Sequence, residues 1–248
     1  MSCSDSAAFD FGHFDDLIEA GVDTPVFDID NTLTRSHIGL LYLHLREREF
    51  GSKLGFRLWY AGFRLLRVPY YAALDAASRT RCQARVYGLY DRYERGQLET
   101  GAQDLFDHVL RHRFIRYIHD LVLHLQLRGV RVVLLSTNLD VVAQHYGAYF
   151  GVEARALPLA TIHRNARRLD FLGADFKGQV MREFDPRRTL GVADSRHDLP
   201  VFRHADHSLI VTSRMRGWMR QVSNAAVLFA RDGQPATLQL PHGGARPT

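Results

Sequence analysis

Two aspartates one residue apart, Asp28 and Asp30, follow a buried apolar run in the sequence TPVFDIDNTLT at residues 24–34. On an ideal strand both side chains would point the same way, because side chains alternate with a period of two. Where the strand ends they can diverge, so that one carboxylate acts as a nucleophile and the other as an acid and base. Alone, this pattern also fits a solvated turn or a general cation site, but the preceding apolar run and the following Thr32 argue against a solvated turn.

The elements that position these residues are predicted from five apolar runs that alternate with helical patterns. The first predicted strand lies within residues 24–34, where the apolar run of Val26, Phe27 and Ile29 opens into a turn at Asp30. The others cover residues 130–138, 188–194, 207–213 and 225–230. The predicted helices between and after them cover residues 139–150, 177–184, 198–204 and 214–222. Continuously apolar strands that alternate with helices indicate an α/β fold, in which both faces of a parallel sheet are covered.

Polar clusters follow three of the predicted strands. They are Asp28, Asp30 and Thr32; Ser136, Thr137 and Asn138; and Asp194 and Asp198. Ligands of parallel sheets bind beyond the carboxyl ends of the strands. We therefore expect the three clusters to meet at one edge of the sheet and to form a single site.

A long insertion, residues 35–119, separates the first two predicted strands and lacks strand patterning. It is rich in Leu, Arg and Tyr, and we interpret it as four or five helices that form a cap, with residues 1–34 and 120–248 forming the sheet domain. Apolar residues at helical spacing are predicted to face a core; they are Phe56, Trp59, Tyr60, Phe63 and Leu66. The terminal QPATLQLPHGGARPT has Pro and Gly without periodicity, which predicts a loosely held tail.

Composition narrows the class of protein. The chain has 248 residues, of which 46% are hydrophobic and 24% are charged, and these fractions exclude a disordered or collagen-like chain. The net charge is +5, and 30 of the 32 basic residues are Arg, only Lys53 and Lys177 being Lys. The basic residues are scattered among acids without a dense run, so nucleic acid is not an expected partner.

The sequence also carries expectations about location. No apolar run approaches the roughly 20 residues that span a bilayer, so no transmembrane segment is expected. The amino-terminal residues are acidic and lack a basic-then-apolar signal pattern, which predicts a cytoplasmic protein. Two cysteines, Cys3 and Cys82, cannot build a disulfide scaffold.

Four motifs occur in an order that resembles a known family. FDIDNTLT resembles the first motif of the haloacid dehalogenase-like hydrolases, an apolar strand followed by DxDxT; LLSTN, FKGQVMREF and LGVADSRHDLPVF resemble the second, third and fourth. The insertion stands where the subgroup that includes phosphoserine phosphatase carries its cap. The resemblance covers the chain beyond about residue 22. It implies a Rossmann-like parallel sheet core with an inserted α-helical cap domain.

The resemblance implies a Mg²⁺-dependent phosphatase that hydrolyses a small phosphorylated metabolite. Asp28 would attack phosphorus and form an aspartyl-phosphate, and Asp30 would protonate the leaving oxygen and then activate water. Asp28 and Asp194 would bind the ion through carboxylate oxygens and Asp30 through its backbone carbonyl. Lys177 would offset the negative charge on the nucleophile and the transferring group.

Residues around the reacting groups follow from the same resemblance. The phosphoryl oxygens would be held by Ser136, Thr137, Asn138 and Thr32. Asp198 would orient Lys177 or a metal-bound water. Arg35 and His37 follow the first motif closely and are predicted at the substrate entrance.

Two departures from the family pattern are visible, and other functions stay open. Ala193 stands where the fourth motif usually has Gly, and RSHIGLL lacks the acid with which phosphoserine phosphatases grip the amino group. The second departure argues against phosphoserine as the substrate.

The alternatives to a phosphatase of small metabolites are a phosphotransferase, a phospholipid-directed phosphatase whose Arg- and aromatic-rich cap lies against an anionic membrane surface, and a non-catalytic binding module. The presence of both Asp28 and Asp30 argues against the last.

Overall fold

A seven-stranded sheet forms the centre of the computed structural model, which describes residues 9–158, 173–223, 225–230 and 236–240. Its strands are β1 (Thr24–Asp28), β2 (Val133–Leu139), β3 (Glu153–Leu157), β4 (Thr189–Ala193), β5 (His207–Thr212), β6 (Ala225–Phe229) and β7 (Thr237–Gln239). The order across the sheet is β3-β2-β1-β4-β5-β6-β7, parallel throughout except for β7. The chain therefore reverses its direction of progress across the sheet at β1, where parallel sheets bind ligands.

All five predicted strands are present, and two further strands were not predicted. β3 is an edge strand of sequence EARAL, whose charged residues and half-buried side chains hide it from an apolar-run criterion. β7 pairs with β6 inside the segment predicted as a loosely held tail, so that prediction is wrong for Thr237–Gln239. β1 ends at Asp28, and the predicted turn follows it, in which the Ile29 carbonyl accepts the N–H groups of Leu33 and Thr34.

Helices cover the sheet and fill the insertion. They are α1 (Gly12–Glu19), α2 (Leu40–Glu49), α3 (Lys53–Gly62), α4 (Val68–Ala77), α5 (Arg79–Tyr87), α6 (Arg95–His108), α7 (Arg116–Leu127), α8 (Asp140–Phe150), α9 (Gly173–Met181) and α10 (Leu199–His204). A π-helical turn at Phe63–Arg67 joins α3 to α4. Among the described residues, no helix has the length and apolar character needed to cross a membrane.

The predicted helices differ from the observed ones at two places. α9 begins at Gly173, so Lys177 lies in its second turn and not at its start. The helix predicted over residues 214–222 is wrong, because only a short 3₁₀ helix, Gly217–Gln221, forms there. Met219 is the buried residue of this short helix, and its side chain packs against the core.

Two hydrogen-bonded backbone segments, residues 33–35 and 113–115, join the insertion to the sheet domain, and we call them the neck. The chain leaves this domain at Leu33 and returns at Ile115, whose N–H donates to the Leu33 carbonyl at 2.9 Å. Beside this bond, the N–H of Arg35 donates to the Arg113 carbonyl at 2.9 Å. Helices α2 to α6 lie between the two sides of the neck, and residue 119, the predicted end of the cap, falls inside α7.

One continuous apolar cluster connects the inserted helices with the sheet. It includes Leu41 and Tyr87 from the insertion and Phe27 and Leu134 from the strands, all of them buried. The cap therefore packs on the sheet over a shared core, and its helices are held in place relative to the strand ends.

The prediction that Leu66 faces a core is wrong. Its side chain is 75% exposed, whereas Trp59 and Phe63 pack against the apolar cluster as predicted. The π-helical turn at Phe63–Arg67 adds a residue to the helical repeat. Leu66 lies within this turn, so its side chain is rotated away from the face that a regular α-helical spacing would give it.

Candidate active site

Asp28 is the last residue of β1, and both of its carboxylate oxygens are hydrogen-bonded. Thr32 donates its hydroxyl to Oδ2 at 3.0 Å, and Lys177 donates its ammonium to Oδ1 at 2.5 Å. Between Asp28 and Thr32 the chain turns through Asn31, whose φ of 60° lies in the left-handed region that Asn tolerates better than most residues. The turn brings Thr32 back to Asp28 and holds the carboxylate in one orientation.

Lys177 on α9 joins two buried carboxylates. Its Nζ donates to Asp28 and to Asp198, and Ser195 donates its hydroxyl to the second oxygen of Asp198 at 2.6 Å. Burial acts to lower the pKa of Lys177, but the carboxylates of Asp198 and Asp28 outweigh it and raise the pKa above its ordinary value. The ammonium is therefore charged throughout the physiological pH range.

Three carboxylates converge beside this ammonium. Oxygens of Asp28, Asp194 and Asp198 lie within 4.8 Å of one another. Burial raises the pKa of Asp28 well above its ordinary value, and burial together with repulsion from Asp198 raises the pKa of Asp194 to about 7. One ammonium leaves this group with excess negative charge on hard oxygen donors, and such a donor set fits Mg²⁺.

The raised pKa of Asp194 predicts a pH-dependent stability in metal-free buffer with EDTA. In the unfolded chain the carboxyl ionises near pH 4, but in the folded protein its pKa is about 7. Its burial therefore costs stability as the pH rises through this interval. We expect Asp194→Asn to gain Tm over the wild type at pH 8 and to gain less at pH 5. Equal differences in Tm at both pH values would contradict this assignment.

Asp30 is held by a different set of partners. Asn138 donates its side-chain amide to Oδ2 at 3.1 Å, and Ser36 donates its hydroxyl to Oδ1. The side-chain oxygen Oδ1 of Asn138 in turn accepts the backbone N–H of Leu139 at 2.8 Å. The two aspartates of the first motif are thus oriented independently, and Asn138, predicted to hold phosphoryl oxygens, contacts Asp30.

A cavity of about 330 Å³ opens at the carboxyl ends of the strands. Its walls include seven of the predicted site residues: Asp28, Asp30, His37, Thr137, Lys177, Asp194 and Asp198. The other four predicted site residues, Thr32, Arg35, Ser136 and Asn138, are not among its lining residues in the described part of the chain. The sequence clusters therefore meet at one site, as their strand-end positions require.

The second motif lies at an irregularity of the sheet. Pairing of β2 with β3 shifts register between Ser136 and Leu139. Ser136 is buried, and its hydroxyl accepts the N–H of Asn138 at 2.9 Å. Thr137, one residue further, lines the cavity. Within this motif, Thr137 is thus the residue with access to a ligand.

Helix α5 of the insertion supplies two wall residues that the sequence reasoning missed, Arg79 and Gln83. Arg79 pairs with Asp75 at 2.9 Å, and Gln83 donates its amide to the Thr137 hydroxyl at 3.3 Å. The Gln83 side-chain oxygen is buried and has no hydrogen-bond partner among the described residues. Their i, i+4 spacing places them on one helix face, but nothing in the sequence indicates that this face meets the strand ends.

Ala193, the departure from the fourth motif, points away from the site. It is fully buried in an apolar cluster with Phe202, Ile210 and Met219. Its methyl group therefore adds to the core and does not narrow the cavity, whose walls begin with the next residue, Asp194.

Comparisons with solved structures identify the same architecture. A phosphoserine phosphohydrolase-like protein from Francisella tularensis is 14% identical, with a TM-score of 0.56 over 84% of this chain and 96% of that one. A substrate-bound phosphoserine phosphatase is 14% identical, with a TM-score of 0.56 over 82% and 92%. A protein of unknown function from Bordetella pertussis Tohama I is 13% identical, with a TM-score of 0.55 over 81% and 94%. At these identities the likeness concerns the fold alone.

Sequence comparison gives the family. No curated protein matches the chain. The model of the haloacid dehalogenase-like hydrolase family matches residues 26–203, a range that contains all four motifs. With its parallel sheet core and inserted helical cap, the chain belongs to the haloacid dehalogenase-like hydrolases.

Proposed function

We propose that the protein is a Mg²⁺-dependent phosphatase that hydrolyses a small phosphomonoester through an aspartyl-phosphate on Asp28. The observation that carries the proposal is the placement of Asp28 on the cavity wall, held by Lys177 and Thr32, with an independently held Asp30 in the same cavity. The cavity volume of about 330 Å³ suits a small metabolite. Membership of the haloacid dehalogenase-like hydrolases supports the same reaction class.

The reaction proceeds in two displacements. A carboxylate oxygen of Asp28 attacks phosphorus as the bond from phosphorus to the leaving oxygen breaks, and Asp30 donates a proton to that oxygen. Asp30 then takes a proton from a water molecule, which attacks phosphorus and releases inorganic phosphate and free Asp28. Lys177 offsets the negative charge that gathers around Asp28 in both steps.

The metal site is proposed at the same carboxylates. Asp28 and Asp194 would hold Mg²⁺ through side-chain oxygens and Asp30 through its backbone carbonyl, while Asp198 orients Lys177. The ion would supply the positive charge that an anionic phosphomonoester needs before a carboxylate can approach. Thr137 lies on the cavity wall and would bind phosphoryl oxygens.

An assay of phosphate release across a panel of phosphomonoesters tests the proposal. We expect Mg²⁺-dependent turnover of some members, abolished by EDTA and restored by added Mg²⁺. The matched control is Asp91→Asn, an exposed carboxylate of the insertion, which we expect to leave turnover unchanged. Failure to release phosphate from any member of a broad panel in the presence of Mg²⁺ would contradict the proposal.

The proposed role of Asp30 predicts a dependence on the leaving group. The nitrophenolate of p-nitrophenyl phosphate leaves phosphorus without a proton, whereas the alkoxide of an alkyl phosphate needs a proton from Asp30. We expect Asp30→Asn to give one rapid burst of nitrophenol, about one per enzyme, followed by slow turnover, because the aspartyl-phosphate forms but is hydrolysed slowly. With an alkyl phosphate no burst is expected. Stopped-flow absorbance measures the nitrophenol burst, and chemical quench with detection of the released alcohol follows the alkyl phosphate. Equal losses of rate without a burst for both substrates would exclude this role.

A further inference from the structure

An uninterrupted helical run in the insertion exposes an unusual amount of apolar surface. The run comprises α3, the π-helical turn and α4, residues 53–77. Six of the eleven exposed large apolar side chains in the described residues lie within it. These six form what we call the outer stripe: Leu54, Leu58, Leu65, Leu66, Val68 and Tyr70. Leu65 and Leu66 are each 75% exposed, so the part of the chain that the structure describes leaves most of their surface open.

The inner face of the same run already has its partners. The ring centroids of Trp59 and Phe63 lie 5.2 Å apart, and each lies 6.1 Å from the ring centroid of Tyr42 in α2. Tyr42 is buried in the apolar cluster shared with the sheet. The run is therefore docked onto the fold by its aromatic residues, and the four leucines of the outer stripe stay exposed in the folded state.

Exposed cations alternate with the outer stripe. Lys53, Arg57 and Arg64 each directly precede an exposed leucine, and Arg67 directly precedes Val68. No acidic residue occurs between Glu49 and Asp75, so the segment that carries the outer stripe contributes four positive charges and no negative ones. Apolar side chains flanked by Lys and Arg on one exposed helical surface are typical of helices that lie in the interface of an anionic bilayer.

Other occupants fit this surface less well. A second copy of the chain would bring the same four cations against these four, which repel one another. A nucleic acid would match the charge but would leave the leucines without an apolar partner. An anionic lipid surface satisfies both features, because its headgroups pair with the cations while its acyl chains accept the leucines.

We propose that the outer stripe docks the protein onto the surface of an anionic lipid bilayer. The leucines enter the boundary between headgroups and acyl chains, and Lys53, Arg57, Arg64 and Arg67 contact the lipid phosphates. The run ends two residues before Arg79, which lines the active-site cavity, so docking holds the bilayer next to the helix that supplies a cavity wall.

Vesicle sedimentation tests the proposal. The probes are vesicles of phosphatidylcholine alone and vesicles that also contain about 30 mol% phosphatidylglycerol, an anionic lipid. We expect the protein to partition onto the anionic vesicles at least tenfold more strongly than onto the neutral ones, and the partition to fall at high salt. The variants Leu54→Ser/Leu58→Ser/Leu65→Ser and Arg57→Glu/Arg64→Glu are each expected to lose at least tenfold of the partition.

Matched variants elsewhere on the surface distinguish binding through the outer stripe from nonspecific binding of the protein to vesicles. Leu123→Ser/Leu127→Ser/Leu240→Ser removes three exposed leucines outside the stripe, and Arg203→Glu/Arg220→Glu reverses two exposed cations. Both are expected to partition like the wild type. Circular dichroism and Tm establish that each variant is folded. Sedimentation requires no turnover, so its result stands apart from that of the phosphatase assay.

Three results would overturn the proposal. The first is equal partition onto neutral and anionic vesicles. The second is wild-type partition of both outer-stripe variants. The third is a dimer in analytical ultracentrifugation that the leucine variant abolishes, with no binding of the wild type to either vesicle, which would assign the stripe to a second copy instead.

Discussion

Replacing Asp28 by Asn is expected to lower kcat for phosphate release by at least about 10⁴-fold, the scale of losses when a catalytic nucleophile is removed. The amide has nearly the shape of the carboxylate and can still accept the Thr32 hydroxyl, so the fold is expected to persist. It is a poor nucleophile, however, and the first displacement fails. Phosphate release under saturating substrate and Mg²⁺ measures the loss, with Asp91→Asn as the matched control.

The covalent intermediate gives this prediction a second readout. Acid-quenched enzyme is expected to carry a phosphoryl group on Asp28 in the wild type, and more of it in Asp30→Asn with an aryl phosphate substrate. Asp28→Asn is expected to carry none. Peptide mass spectrometry locates the group, and near-wild-type turnover by Asp28→Asn would remove Asp28 from the nucleophile's role.

Replacing Lys177 by Met is expected to damage both activity and stability. Phosphate release should fall about 10³-fold, since the charge that offsets Asp28 and the transferring group is gone. The free energy of unfolding at pH 8 should fall by about 3 kcal/mol, because Asp28 and Asp198 lose their buried cation. Urea denaturation measures the loss of stability.

The stability loss in Lys177→Met should depend on pH. Burial already raises the pKa of Asp28, and removal of the ammonium raises it further. At pH 5 the folded protein can then hold this carboxyl in its neutral form, so the loss should be smaller than at pH 8. Lys53→Met, at the other lysine of the chain, is the matched control because Lys53 is exposed. A loss independent of pH would contradict the ion-pair explanation.

The sequence allowed prediction of the sheet to the extent that its strands are apolar. β1, β2, β4, β5 and β6 are buried and read as apolar runs, whereas β3 is an edge strand with charged residues. The position of Lys177 was predictable because a chain with 30 arginines has only two lysines and one of them stands in the third motif. The structure places it between Asp28 and Asp198.

The remainder of the site depends on tertiary packing that no local pattern encodes. Gln83 reaches the cavity only because α5 lies over the strand ends, and an insertion helix can present any of its faces there. Asn138 contacts Asp30 after a register shift in the pairing of β2 with β3. Leu66 is exposed because a π-helical turn interrupts the helical repeat.

The neck at Leu33 and Ile115 has a consequence for how such a protein can be altered. Its hydrogen bonds hold the two ends of the insertion together at one point beside β1, and an isolated bridge pairs Thr34 with Phe114 there. The free-energy cost of closing a loop grows only slowly with its length. Insertions of quite different size could therefore be grafted between these two residues without moving the strands that carry Asp28 and Asp194, provided that each graft covers the same apolar cluster. In the proposed phosphatase, an exchange of the cap at the neck would therefore replace the cavity wall that α5 supplies and leave Asp28 and Asp194 in place.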